Sequence, residues 1–167
     1  ALGLILKKFI MKIIKEFIPN IKIDYVDSEI MNQLSYEVSC EKILKAGFEI
    51  KGDIRDQTVV KKALKNQEGV IHLAALPFIP DSFFYPGDFF DVNTNGSVNM
   101  LWNAIKSKTV ETFVHISTSE VYGSAQFVPM DENHPTTPHS TYAVSKLAGD
   151  RAAFTLHKEN GFPVVVI

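Results

Sequence analysis

The chain has one cysteine, Cys40, among 167 residues, and that scarcity excludes an intrachain disulfide framework. No Cys or His stands near it at metal-ligand spacing, so no metal site is expected, and Cys40 reads as a small hydrophobe in a reducing, cytoplasmic setting. Positive charge is not in surplus either: 17 Lys and Arg face 19 Asp and Glu, for a formal net charge of -2. Phosphate backbones are held by concentrated cationic charge, so no nucleic-acid partner is expected, while a small anionic ligand stays open. Long apolar runs are missing too. The most apolar stretch, residues 1–17, is broken by Lys7, Lys8, Lys12, Lys15 and Glu16, short of the ~20 residues that cross a bilayer. It has no small-residue cleavage site and reads as an amphipathic helix, with no membrane partner expected. Glycine is sparse at the start: only Gly3 and Gly47 precede Gly52, and neither opens a glycine-rich, phosphate-cradling turn.

What is present is enough for one core, with 46% of the residues hydrophobic. From Val70 onward, short β-branched runs alternate with helical patterns, the signature of βαβ units and hence of an α/β fold with a helix-covered parallel sheet. Strands are expected at 69–75, 110–117 and 163–167, and helices at 58–66, 89–106 and 141–159, the last capped by Ser140 and stopped by Gly161. Residues 77–87 and 123–140 read as loops. Upstream, a helix at 4–17 and a strand at 21–26 are expected.

Tyr142 and Lys146 stand four apart in the last helix, so their side chains share a face and meet the same ligand. A free tyrosine ionises near pH 10. An adjacent ammonium favours its phenolate, which would make Tyr142 a base for a hydroxyl proton while hydride leaves for a nicotinamide. Tyr-x-x-x-Lys recurs by chance in helices, but here Ser117-Thr118-Ser119-Glu120-Val121-Tyr122-Gly123 lies upstream at a strand's C-terminal end, where open α/β sheets bind ligands.

With these motifs, residues 47–167 resemble the extended short-chain dehydrogenase/reductases, specifically the NAD-dependent epimerases and dehydratases of nucleotide sugars. The resemblance is carried by Gly-Asp-Ile-Arg-Asp (52–56), His-Leu-Ala-Ala (72–75), Asn93-Thr-Asn-Gly96, Ser-Thr-Ser-Glu-Val-Tyr-Gly (117–123) and Tyr-Ala-Val-Ser-Lys (142–146). It implies a Rossmann-type doubly wound parallel sheet. It also implies that Asp53 and Ile54 contact the adenine of NAD, with NADP not excluded, and that Leu73, Ala74 and Ala75 line the phosphate and ribose path. Asn93 would hold the elements around the nicotinamide, Ser117 would contact it, and Lys146 would bond its ribose. Thr118 would position the sugar's 4-hydroxyl for Tyr142. Read singly, Asp53 is equally a turn or cap residue, and His72 and His115 are expected to be satisfied strand residues. Asn95 and Asn99 are assigned no role.

The family's shared first step is oxidation at C4, which acidifies the C5 proton. In dehydratases resembling this chain the glutamate at Glu120 is the C5 base, whereas 4-epimerases usually lack an acid there. Ser119 stands where the dTDP-glucose type has an aspartate. Thr-Ser-Glu is more similar to GDP-mannose dehydratases, UDP-glucuronate decarboxylases and legionaminic-pathway dehydratases, and residues 123–135 look most like the last. A decarboxylase would need a local basic group, and no Arg lies between Arg55 and Arg151. A 4,6-dehydratase is therefore expected ahead of a 4-epimerase.

The sheet is expected to be incomplete. The resemblance calls for a glycine-rich first βα unit and a C-terminal substrate domain, and neither is evident. Residues 1–50 form an atypical segment, in which residues 38–48 resemble a displaced C-terminal piece of the same family; residues 51–167 form the Rossmann core. The rival class is a catalytically silent fragment or interaction module. The resemblance also implies a nucleotide-sugar substrate and a homodimer through helices 89–106 and 141–159.

Overall fold

The structure, a computed structural model, describes residues 45, 47 and 52–167. The helix expected at 4–17, the strand at 21–26 and Cys40 lie outside the described residues, as does the 38–48 piece except for residues 45 and 47.

Helix α1 (Gln57–Leu64) begins where the Asp56 carboxylate accepts from the Thr58 and Val59 amides, satisfying two of the amides a helix start leaves open. Strand β1 (Gly69–His72) follows. It ends three residues earlier than expected, because its ladder with the next strand stops at the His72 and His115 pairing. The expected loop at 77–87 is largely helical, a second correction: α2 (Ile79–Phe84) and α3 (Pro86–Phe89) each start with proline in the first turn. There the fixed φ suits a helix and the missing N–H costs nothing.

From α3 the helix continues as a seven-residue π-helical segment (Phe90–Gly96) and then α4 (Ser97–Ser107). The expected helix at 89–106 therefore exists, but its first third is wound wider. Lys108, at φ 61, caps α4 in the left-handed region. Strand β2 (Thr112–His115) leads into a 3-10 turn (Ser119–Tyr122) and a long loop. Helix α5 (Thr141–Asn160) starts on Ser140, whose hydroxyl accepts from the Ala143 amide, and ends on Gly161 at φ 65. Strand β3 (Val164–Val166) closes the described chain.

The sheet is parallel in the order β1-β2-β3. Alternate residues of the strands turn to one face, where Phe113 meets Val60 and Leu64 of α1, Leu101 and Ala104 of α4 and Ala153 of α5 in a single buried cluster. Burying a side chain such as Phe113 or Leu101 contributes about 2–3 kcal/mol. On the other face Ile71 and Val165 are about half exposed. Because α1, α4 and α5 pack against one face, the C-terminal ends of β1 and β2 stay free to carry side chains for chemistry.

Candidate active site

The site lies beyond the C-terminal ends of β1 and β2 and against the first turns of α5. Lys146 is 4% exposed, and its ammonium donates to the Ile116 carbonyl at 2.5 Å, just past the end of β2. Burial pushes the Lys146 ammonium below its ordinary range, and the Asp150 carboxylate one turn on opposes that. Tyr142, one turn earlier, is partly exposed; its ring meets Phe89 edge-to-face at 6.3 Å.

The Ser-Thr-Ser-Glu turn begins at the same strand end. The Ser117 amide donates to the Ile167 carbonyl, and the Ser117 hydroxyl donates to Asp150 Oδ2 at 2.5 Å. Thr118 caps the 3-10 turn by accepting from the Glu120 amide. This leaves Ser119 and Glu120 exposed on the turn's outer side. Gly123 ends the turn at φ 66, with the Thr137 carbonyl packed where a Cβ would lie, so glycine is required there.

Asn93, on the π segment, is 1% exposed. Its Oδ1 accepts from the Leu76 amide at 2.7 Å, and its Nδ2 donates to the Leu76 carbonyl and to Ser145 Oγ, each at 3.0 Å. One side chain thus ties the loop after β1 to α5. Thr94 adds a bond from its hydroxyl to the Ser145 carbonyl. The contact is close because Gly149 leaves room for the Asn93 carbonyl, 3.2 Å from where a Cβ would stand. In the same loop Leu73 and Ala74 are exposed and Ala75 is half-buried.

Asp53 and Ile54 come from the segment before α1. The Asp53 carboxylate grips the Arg55 guanidinium at 2.6–3.1 Å and takes the Arg55 amide at 2.8 Å. These bonds lower its pKa to about 2. Ile54 packs where Gly96 lacks a side chain, 2.6 Å from an added Cβ, and its carbonyl accepts from Asn99 Nδ2 at 2.7 Å. Asn99, which carried no role in the sequence, anchors this segment to α4.

Of the two strand histidines only His72 is satisfied. Its Nε2 lies 2.8 Å from Ser97 Oγ, which itself donates to the Asn93 carbonyl, so Nε2 carries the proton. Burial, with smaller contributions from His115 and Lys146, lowers the His72 pKa from 6.5 to about 4. His115 corrects the expectation: its Nε2 stands 3.1 Å from Asp150 Oδ1 but off the line of a hydrogen bond, leaving both atoms buried and unbonded. Asp150 was not singled out in the sequence. The signal was there in its spacing, since residues 142, 146 and 150 succeed one another on one helix face.

The chain matches the GDP-mannose 4,6 dehydratase family over residues 20–167. It is 36% identical over 117 residues to the dTDP-glucose 4,6-dehydratase of Streptomyces niveus, covering 70% of this chain and 34% of that one. It is 36% identical over 103 residues to the UDP-glucose 4-epimerase of Streptomyces lividans, covering 60% and 31%. Among solved structures, the dTDP-glucose 4,6-dehydratase DesIV of Streptomyces venezuelae, with NAD bound, aligns with a TM-score of 0.66 at 33% identity over 69% of this chain and 35% of that one. RMD from Pseudomonas aeruginosa, complexed with NADPH, aligns with a TM-score of 0.66 at 28% identity over 70% and 41%. The fold is therefore Rossmann-type, and the chain spans about a third of the length of the curated relatives it matches. A match that runs through the described core and well upstream of it fixes the lineage: the chain belongs to the GDP-mannose 4,6-dehydratase family, among the NAD-dependent epimerases and dehydratases of nucleotide sugars.

Proposed function

We propose that residues 51–167 are the core of an NAD-dependent nucleotide-sugar 4,6-dehydratase, with residues 1–50 a separate, atypical segment. The observation that carries this is the convergence of Lys146, Tyr142 and the Ser-Thr-Ser-Glu turn at the end of β2. The residues present fit the nicotinamide end of a dinucleotide. Lys146 spends one of its three N–H groups on Ile116 and keeps two for ribose hydroxyls, and the exposed, small Ala74 lets a ligand approach the backbone. Asp53 and Ile54 are proposed for the adenine end, Leu73, Ala74 and Ala75 for the path between, and Ser117 for the nicotinamide. Asn93 would act through the loop it holds.

When bound, the nicotinamide supplies the two-electron acceptor for oxidation at C4 and the donor for the later reduction. Tyr142 takes the proton of the 4-hydroxyl, which Thr118 holds in place, with Lys146 one turn on along the same helix. The 4-ketone acidifies the C5 proton. Glu120, exposed on its turn, removes that proton and hands it to the 6-hydroxyl, which departs as water, with Ser119 beside it. NADP is a further candidate cofactor, and a reducing cytoplasm the compartment, given the lone Cys40. A homodimer is proposed through α4 and α5, where Trp102, Val144 and Phe154 are 38–50% exposed.

A nucleotide-sugar 4-epimerase would use the same Tyr142 and Lys146 without needing Glu120; a silent core would use none of them. Binding comes first: NAD should raise the melting temperature through linkage, and no shift at millimolar NAD would favour the silent core. Glu120→Gln should then abolish a 4-keto-6-deoxy product while sparing oxidation at C4. Undiminished product from that variant would remove Glu120 from the mechanism and favour the epimerase.

A further inference from the structure

We propose that Asp150 is a positioning residue of the cofactor site, holding the Ser117 hydroxyl so that its oxygen meets the ligand as a hydrogen-bond acceptor. This rests on the dinucleotide reading given above. A serine hydroxyl has one proton and two lone pairs, and a carboxylate has only lone pairs, so the 2.5 Å contact between Ser117 Oγ and Asp150 Oδ2 runs in one direction. The Ser117 proton is committed to Asp150. Its amide is committed too, to the Ile167 carbonyl. What Ser117 can offer outward is an oxygen lone pair, and the matching ligand group is an N–H.

The Asp150 carboxylate is held in place for this. Its side chain is 12% exposed, and its other oxygen abuts the fully buried His115 ring, whose neighbour Gly149 allows α5 to lie close against it. His115 is in turn packed against His72, with ring centroids 5.5 Å apart. His72 is fixed through Ser97 to the Asn93 carbonyl. The residue that sets the direction of the Ser117 bond is therefore braced from β1, β2 and the π segment together.

The nicotinamide carboxamide carries N–H donors; a 3-acetyl group in its place keeps the carbonyl and loses them. In the full chain, the dissociation constants of NAD and 3-acetylpyridine adenine dinucleotide should differ in favour of NAD by about threefold to tenfold, the worth of one hydrogen bond. Asp150→Ala should erase that preference, Ser117→Ala should erase it equally, and the double variant should add nothing further. Asp150→Asn, which keeps an acceptor oxygen, should retain most of it. If Asp150→Ala does not fold by circular dichroism, Asp150→Leu fills the same space without an acceptor and should also bind both dinucleotides alike. A folded Asp150→Ala or Asp150→Leu that still prefers NAD as the wild type does, or a wild type that binds both equally, would overturn the assignment. A wild type that binds neither dinucleotide fails the cofactor reading itself, and the assignment with it. A merely structural role for Asp150 would weaken both dinucleotides together and leave their ratio unmoved.

Discussion

Asn93 pairs with Leu76 as a neighbouring strand would, accepting from its amide at 2.7 Å and donating to its carbonyl at 3.0 Å. The backbone beyond the end of β1, which has no ladder partner, is satisfied by a side chain instead. Replacing Asn93 with Ala leaves both Leu76 groups and Ser145 Oγ without this partner. Three lost bonds around a residue 1% exposed should cost about 2–4 kcal/mol, read as a lower urea midpoint with an unchanged slope.

Gly123 and Gly96 are both crowded, and they should respond differently to alanine. At Gly123 a Cβ would collide with the Thr137 backbone carbonyl, and φ is 66, so strain and clash combine and Gly123→Ala should cost more than about 2 kcal/mol. At Gly96 the obstacle is the tip of the Ile54 side chain, which can rotate away, so Gly96→Ala should cost less. Thermal unfolding of the two variants side by side checks the order; Gly96→Ala falling below Gly123→Ala would contradict it.

His72 should impose a pH dependence on stability. Its folded pKa of about 4 lies below its ordinary 6.5, so between those values the unfolded chain binds more protons than the folded one. Stability is then full above pH 6.5 and declines as the pH falls toward 4. The limit for this one group is about 3 kcal/mol. His72→Gln, which can still donate to Ser97, should flatten the curve in that window when ΔG is measured by denaturant at successive pH values. The Asp53 carboxylate, lowered by its Arg55 bonds from 3.8 to about 2, adds stability that is present above pH 3.8 and lost only as the pH falls toward 2, so the two groups act in separate windows.

Ser140 and Asp56 each close a helix start through a side-chain oxygen. Alanine at either should cost about 1 kcal/mol. Ser140→Ala should in addition fray the turn bearing Tyr142, seen as faster amide exchange at Ala143 with little change in α1.

The ends of α5 are legible in the sequence, because Ser140 and Gly161 are residues whose own chemistry makes a cap and a stop. The parallel sheet was legible for a similar reason, in the β-branched runs around Phe113 and Val165. Strand length was not: apolar character continues through Leu73 to Ala75, whereas the ladder ends at His72. Nor were α2 and α3, since Pro80 and Pro86 look like loop punctuation until they fall in a helix's first turn. Tyr142, Lys146 and the Ser-Thr-Ser-Glu turn announced themselves by motif. Asp150 and Asn99 did not, because each acts through a partner distant in sequence, Ser117 in one case and Ile54 in the other.

The wide segment from Phe90 to Gly96 acts as a slip coupling between two pieces of helix. On its near side Phe89 is turned to the Tyr142 ring; on its far side Leu101 and Ala104 are turned to the sheet. An ordinary α-helical pitch sets successive residues about 100° apart, and a π-helical turn holds more residues than an α-helical one, so the seven residues from Phe90 to Gly96 turn through a smaller angle than the same number wound as α-helix. Deleting one residue within the segment should rotate Phe89 about the helix axis relative to Leu101 and Ala104, and loss of the edge-to-face contact with Tyr142 would report it.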